Sequence, residues 1–434
     1  MAEQTTTIPK KWKETSLGDV VEIIDGDRGL NYPKNDEFFS DGYCLFLNTK
    51  NVPNDSFSFQ ERMFIDKWKD GKLRKGKLKR GDFVLTTRGT VGNFAFYSEK
   101  IPFDNIRINS GMVILRTKDE VLSKSYLNFY LKSYFFNDQV LSLSSGTAQP
   151  QLPIRDLTVF QIYLPALPEQ QAIAAVLSSL DNKIELLREQ NKTLEATAQA
   201  IYKEWFVNFN FPNGKGKPYK KSGGKMVDSE LGKIPERWRV GQLIEGEISE
   251  FVKANIDQFD GMKDYIETAN VNLSNFAGSF EKISYNGRPS RANMQPVANS
   301  IWFARMAESR KYLLFQERDK ENINTKILST GFAGIRCVKD YLYFYWCFIL
   351  SDILNDLKNQ YAEGAVQVAI SNGGIQRITL VLPPKEIAKK FTETVGFCFE
   401  KISNNNSQIQ TLSILRDALL PKLMSGKLRV KNYG

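Results

Sequence analysis

The sequence predicts an α+β protein: two repeated, strand-rich mixed α/β domains separated by two long α-helices that pair as an antiparallel coiled coil. Three observations predict it. The chain repeats itself at an offset of 218 residues, so that Leu164-Pro165 recurs as Leu382-Pro383 and Lys183-Ile184 as Lys401-Ile402. Each copy opens with short apolar runs broken by Gly, Pro, Asn and Asp, the grammar of strands and turns. Each copy then closes with roughly 40 residues whose apolar positions fall three and four apart, the pattern of a coiled-coil seam.

Further matches sharpen the repeat. Gly146-Thr147-Ala148-Gln149 returns as Gly364-Ala365-Val366-Gln367, and Ile8-Pro9 with Trp12 returns as Ile234-Pro235 with Trp238. Asn51-Val52 answers to Asn270-Val271, and Tyr126-Leu127 to Tyr341-Leu342. A period this long is not that of a solenoid; one domain plus one helix was duplicated. The expected boundaries are 1–165 for the first domain, 166–209 for the central helix and 210–233 for a linker. A second domain follows at 234–383, then a C-terminal helix and tail at 384–434. A duplicated chain suits a partner with two-fold character, and duplex DNA is one.

In the first domain, residues 20–24, 45–47, 83–87, 94–97, 112–116 and 159–164 read as strands, interrupted by one helix over about 123–140. After Pro165 the grammar changes. Pro168 and Glu169 suit the first turn of a helix. Its seam runs Leu177, Leu180, Ile184, Leu187, Asn191, Leu194, Ala198, Ile201, Trp205, with Asn191 the single polar position of the kind that fixes register. About 40 residues make a rod of roughly 60 Å, and such a seam needs a partner helix. The repeat supplies one through Val395, Cys398, Ile402, Asn405, Ile409, Leu412, Arg416, Leu419 and Leu423, with Pro421 and Gly426 marking its end. The alternative is that each rod docks on its own domain. The linker carries Lys215, Lys217, Lys220, Lys221 and Lys225 and reads as basic and flexible.

Composition narrows the function. Among 434 residues, 59 Lys+Arg against 49 Asp+Glu give a net charge of +10, which favours a polyanionic partner. There is no histidine, so imidazole ligands, imidazole bases and Ser–His or Cys–His nucleophiles are excluded. The four cysteines, Cys44, Cys337, Cys347 and Cys398, lack metal-site spacing. No metal site, no catalytic set and no membrane segment are expected, and the chain is expected to be cytoplasmic.

DNA-binding signals are stronger. Lys67, Lys69, Lys72, Arg74, Lys75, Lys77, Lys79 and Arg80 form a run suited to phosphates. Arg88 sits on the turn Thr87-Arg88-Gly89-Thr90, where a guanidinium can reach guanine O6 and N7 while glycine lets the backbone approach. The candidate DNA contacts in the first domain are Thr49, Lys50, Lys75, Lys77, Arg88, Thr90, Asn93 and Gln149. In the second they are Asn286, Arg288, Arg291, Asn293, Arg305, Arg310 and Lys311, the asparagines suiting adenine N6 and N7.

One family carries these features together. The residues are Leu164-Pro165 and Leu167-Pro168-Glu169-Gln170-Gln171-Ala172-Ile173 running into Leu180-Asp181-Asn182-Lys183-Ile184. Gly216-Lys217-Pro218-Tyr219, Glu230-Leu231-Gly232-Lys233-Ile234-Pro235, Arg80-Gly81-Asp82-Phe83 and Leu419-Leu420-Pro421-Lys422-Leu423 add to them. Over essentially its whole length the chain resembles the specificity (S) subunit of type I restriction–modification systems, a phage-defence family. The resemblance implies a non-catalytic subunit whose two target recognition domains each read half of a split DNA site. The paired helices would act as a ruler and dock two methyltransferase (M) subunits that methylate adenine N6; as many as two restriction (R) subunits belong to the same complex. S-adenosylmethionine, ATP and magnesium are then expected in those partners and none in this chain. The second helix start, Leu382-Pro383-Pro384-Lys385-Glu386-Ile387, departs from the family pattern by lacking the Glu-Gln-Gln form. The rival reading is a coiled-coil scaffold without DNA readout.

Overall fold

A computed structural model of the chain describes residues 9, 11–144, 150–364 and 368–430. These form two compact units, Met1–Leu187 with Ser407–Gly434, and Arg188–Asn406. Each unit therefore owns one strand-rich domain and part of each long helix.

In the first unit, Val21–Asp25, Met112–Thr117, Phe83–Thr86 and Phe94–Phe96 make a four-stranded antiparallel sheet in that order. Successive side chains of a strand point to opposite faces, and here both faces are covered. Phe83, Leu85, Val113 and Leu115 enter the core shared with the helices. Val84, Met112 and Ile114 enter a second core with the three-stranded sheet Phe64–Ile65, Cys44–Leu47, Ile106–Ile108, whose last pairing is parallel. The second unit repeats this with Ser249–Phe251, Phe332–Cys337, Ser300–Ala304 and Tyr312–Phe315. There Ile301 and Phe303 face the helices, and Trp302 and Ala304 face the other way. In both units the strand just after the Ile-Pro…Trp motif pairs antiparallel with the strand before the long helix: Lys13–Ser16 with Gln161–Leu164, and Arg239–Gln242 with Thr379–Leu382.

The expected helix over 123–140 is two helices, Lys124–Lys132 and Tyr134–Ser144, broken where Ser133 turns extended. Ser351 makes the same break between Leu342–Leu350 and Asp352–Gln360. The strand expected over 159–164 is shorter, because a helix at Ile154–Thr158 ends against it and leaves only Gln161–Leu164.

The first long helix spans Leu167–Tyr202 and continues as a π-turn, Lys203–Val207. The second spans Lys385–Met424. Pro421, expected to end it, lies in its last turn, and the chain leaves only at Gly426. There φ is +69° and a Cβ would lie 2.4 Å from Pro9 Cγ. Within each unit the helices run antiparallel. In the first, Asp181 meets Arg416 at 3.0 Å and Leu177 shares a core with Leu419 and Leu423. In the second, Asn191 meets Asn405 and Asn406, and further along Phe206 packs on Phe391 with ring centroids 4.8 Å apart. Leu177, Ile184, Leu187 and Val395 are buried, and Leu180, Leu194, Ile201, Ile402, Ile409, Leu412 and Leu419 are half-buried.

Two expectations change. The segment 210–233 is not a flexible linker. Phe211 stacks on Tyr219 and on Trp238 at 4.6 and 5.0 Å, Asn213 Oδ1 accepts from the amides of Lys215 and Lys217, and Met226–Ser229 pairs with Gly232–Pro235. Its lysines hid this, because the ordering comes from three aromatics and one Asn turn. The missing Glu-Gln of the second helix start also takes a different meaning. Gln170 is buried, accepting from Ser123 N at 2.9 Å and donating to Val121 and Pro165 carbonyls, while Glu169 pairs with Arg429 at 2.9 Å. Gln170 joins the helix to the domain, and Glu169 joins it to the segment that follows the second long helix. The second unit fills the equivalent place with Ala388, fully buried in its core.

The Asn191–Asn405 layer generates a stability test. Asn405 Nδ2 donates to Asn191 Oδ1 at 2.8 Å, and Asn405 Oδ1 is buried without a partner. Asn191→Leu leaves the Asn405 amide with only Gln190 Oε1 at 3.5 Å and removes the donor to Asn406 Oδ1, and is expected to lower stability by about 1–3 kcal/mol. The double variant with Asn405→Leu is expected to recover at least that much, both read as urea midpoints.

Candidate nucleic-acid interface

The end of each four-stranded sheet carries a turn framework built from backbone hydrogen bonds. In the first unit Thr86 N donates to Asn93 O at 2.8 Å, closing the turn that holds Arg88, Gly89 and Thr90. Thr87 N donates to Gly111 O, and Leu152 N to Thr87 O. The short turn Thr49–Asn51 lies alongside: a Cβ on Gly111 would stand 3.3 Å from Thr49 Cγ2 and 3.7 Å from Arg88 Cβ. Asn51 locks that turn by accepting from Asn48 N and donating to Ser58 and Glu61 carbonyls. Asn54 is left-handed and receives Phe94 N at 2.8 Å.

The second unit repeats the framework bond by bond. Ala304 N donates to Lys311 O at 2.9 Å, Arg305 N to Gly331 O, Ile370 N to Arg305 O, and Tyr312 N to left-handed Leu273 O. The turn Thr268–Asn270 lies alongside Gly331, whose Cβ would stand 3.2 Å from Thr268 Cγ2 and 3.1 Å from Arg291 Nη2. Both rims also reach the helices of their own unit. Asp55 pairs with Lys132, which is 3.7 Å from Asp181; Ser274, the residue after Leu273, reaches Glu195, whose carboxyl burial pushes up.

Of the first-domain candidates, Thr49, Arg88, Thr90 and Asn93 come together on this rim. Arg88 and Thr90 are exposed, and Asn93 holds the rim by donating to Val52 O. Lys50 joins them but pairs with exposed Glu61 at 3.3 Å. Gln149 lies outside the described residues. Lys75 stands in a neighbouring recess of about 380 Å³ with Arg28 and Arg74, and Arg28 reaches back to Ser110 O on the Gly111 turn. Arg28 was missed in the sequence because a lone arginine beside Gly29 carries no pattern.

Within the basic run Lys67, Lys72, Arg74, Lys75 and Lys79 are exposed, and the other three cations are engaged inside the domain. Lys69 is buried against Glu37 at 2.6 Å, and Arg80 is turned onto the carbonyls of Ser98 and Ile101. Lys77 pairs with Asp70 at 2.5 Å, and buried Arg107 binds the same carboxylate at 2.6 Å while donating to Asp70, Leu73 and Lys75 carbonyls. Burial works to raise the Asp70 carboxyl, but these two cations hold it below the usual range. Arg107 is the residue that shapes the segment, and nothing in its Ile-Arg-Ile strand announced it.

In the second domain Arg291 and Lys311 meet at the rim, Lys311 Nζ donating to Thr268 O at 2.6 Å. Arg310 is exposed but held by Asp352 at 2.7 Å. Arg288 folds onto the Tyr285 ring at 4.1 Å, Asn293 donates to Ala254 O, and Asn286 is exposed. Arg305 is not a reading residue. Its guanidinium points inward to Phe332 O, Ile370 O and Asn372, and burial lowers its pKa. In register it matches buried Thr87, and Arg88 is matched by Met306.

Among the described residues no group of His, Cys, Asp and Glu is placed to hold a metal, and no helix is long and apolar enough to cross a membrane. The cysteines are buried and unpaired, and burial pushes the Cys44 thiol up to about 12.

Known proteins share this architecture. Residues 9–196 match the type I restriction modification DNA specificity domain. The type I restriction enzyme MjaIX specificity subunit of Methanocaldococcus jannaschii is 27% identical over 98% of this chain and 95% of its own. The HindI specificity subunit of Haemophilus influenzae is 23% identical over 96% of this chain and 99% of its own. The crystal structure of a type I restriction–modification S subunit from M. genitalium shares the fold with a TM-score of 0.52 at 14% identity, covering 97% and 98% of the two chains. Over nearly its whole length the chain is thus similar to type I restriction enzyme specificity subunits, and its residues 9–196 match their DNA specificity domain.

The two arginines at the rims separate stability from surface chemistry. Arg305→Ala leaves buried carbonyls without donors and is expected to cost about 1–3 kcal/mol. Arg88→Ala is expected to stay within about 0.5 kcal/mol of the parent, a contrast that thermal melts of the two variants resolve.

Proposed function

We propose that this chain is a type I restriction–modification specificity subunit that reads a bipartite DNA target, each strand-rich domain contacting one half through its rim, and positions two adenine-N6 methyltransferase subunits on it. Restriction subunits join the same assembly. S-adenosylmethionine, ATP and magnesium are held by those partners, and the complex acts in the cytoplasm.

One observation carries the reading. The same backbone framework recurs in both units while the residues on it differ, exposed Arg88 and Thr90 on one rim, exposed Met306 and Arg291 with half-buried Lys311 on the other. Two readers of unlike half-sites need such a fixed scaffold with variable tips. Net charge supports a polyanionic partner. Exposed apolar side chains on the long helices support methyltransferase docking: Leu186, Ile414 and Leu415 in the first unit, Phe397 in the second.

The discriminating experiment maps methylated adenines in cells expressing the chain with its cognate methyltransferase. A single split motif with a fixed gap, absent without this chain, is expected. No new methylation, with both proteins soluble, overturns the reading in favour of the scaffold. Binding of the assembled complex to its site is expected to weaken linearly in log K against log salt. Arg88→Ala is expected to relax one position of one half-site by about 1–3 kcal/mol, measured by competition among duplexes varied at that half.

A further inference from the structure

The shared framework fixes which residue of one rim answers to which of the other. The isolated bridge between Arg88 and Gln151 recurs as a bridge between Met306 and Ala369. The bonds Leu152 N to Thr87 O and Ile370 N to Arg305 O, both 2.9 Å, flank those bridges identically. Met306 therefore stands where Arg88 stands. It is 47% exposed, and Val368 beside it is 42% exposed, the two being joined by Ala307 N donating to Val368 O at 2.9 Å.

Charges around this tip are tied back. Glu308 is held by Asn359, its backbone N donating to Oδ1 at 3.0 Å and its carboxylate accepting from Nδ2 at 2.5 Å. Arg310 is held by Asp352. Buried Lys358 donates to Ser309 O at 2.5 Å, and Arg305 points inward. What the loop presents forward is a braced apolar pair, flanked by the cations Arg291 and Lys311. In the major groove the only apolar group on a base edge is the thymine C5-methyl.

We propose that Met306, with Val368 beside it, packs on a thymine C5-methyl in the half-site read by the second domain, at the position where Arg88 of the first domain meets guanine. The two half-sites then differ at equivalent positions because one side chain changed on an unchanged backbone. This inference rests on the bipartite DNA reading above.

The test uses the chain assembled with its methyltransferase subunits and duplexes carrying the mapped target. Each thymine of the second half-site is replaced in turn by deoxyuridine, which removes only the C5-methyl. One replacement is expected to weaken binding about fourfold, the effect of one buried methyl-sized group, and Met306→Ala is expected to abolish that difference while leaving the melting temperature unchanged. Met306→Arg is expected to shift the preference at that one position toward guanine. The inference is overturned if no thymine in that half responds to deoxyuridine, or if Met306→Ala responds as the parent does. Loss of salt-dependent binding or of any split motif in the parent complex would instead overturn the DNA reading itself, and that is measured first.

Discussion

Neither long helix can bury its own apolar seam, and this one constraint organises the chain. A helix of 36 residues with leucine, isoleucine and tryptophan every third or fourth place would expose a continuous stripe to water, at a cost of about 1.5–3 kcal/mol for each large side chain. The second copy of the repeat provides the cover, and the antiparallel sense puts the start of one helix against the end of the other within each unit. Domain cores are continuous with that seam: Leu177 and Leu423 share a cluster with Phe83 and Val113, and Trp205 and Phe391 share one with Ile301 and Phe303. A strand-rich domain here is thus not an appendage on a rod. Its central sheet has one face on the helices and the other on a second sheet.

That arrangement leaves the sheet ends as the place where chemistry can vary. A face packed on both sides tolerates little change, whereas turns held by main-chain bonds keep their shape whatever side chains they carry. Asn54 and Leu273 make the point. They are chemically unlike, both are left-handed, and each accepts from the equivalent amide of its own unit, Phe94 N or Tyr312 N, at 2.8 Å. The residue after each is then tied toward the helices by different means, Asp55 through Lys132 and Ser274 to Glu195.

The architecture was legible in the sequence because duplication and heptad spacing survive substitution: Leu164-Pro165 and Leu382-Pro383 mark the same place twice, and the seam from Leu177 to Trp205 reads directly as three and four. The rims were legible only in part. Arg88 and Thr90 sit on a Gly-rich turn that announces itself, and Thr49 lies on the short turn beside it. Arg305 misleads because a strand turns its side chains over with a period of two, so an error of one residue in register moves a guanidinium from the surface to the interior. Only the backbone bonds reveal that register. Segment 210–233 was misread for a related reason, since charge density says nothing about whether Phe211, Tyr219 and Trp238 meet.

Charge itself is the last thing composition overstates. Of the basic run from Lys67 to Arg80, Lys69, Lys77 and Arg80 are engaged by Glu37, Asp70 and backbone carbonyls, and Arg107 and Arg305 are spent inside their own domains. A guanidinium that satisfies four buried carbonyl or carboxylate oxygens cannot also neutralise a phosphate. The electrostatic attraction available to a polyanion therefore comes from fewer cations than the sequence contains; on and beside the rims stand Arg74, Lys75 and Arg88 in one unit, and Arg291 and Lys311 in the other. Where a rim carries few such cations, shape and apolar contact must supply a larger share of discrimination, which is the condition under which an exposed methionine at the tip becomes informative.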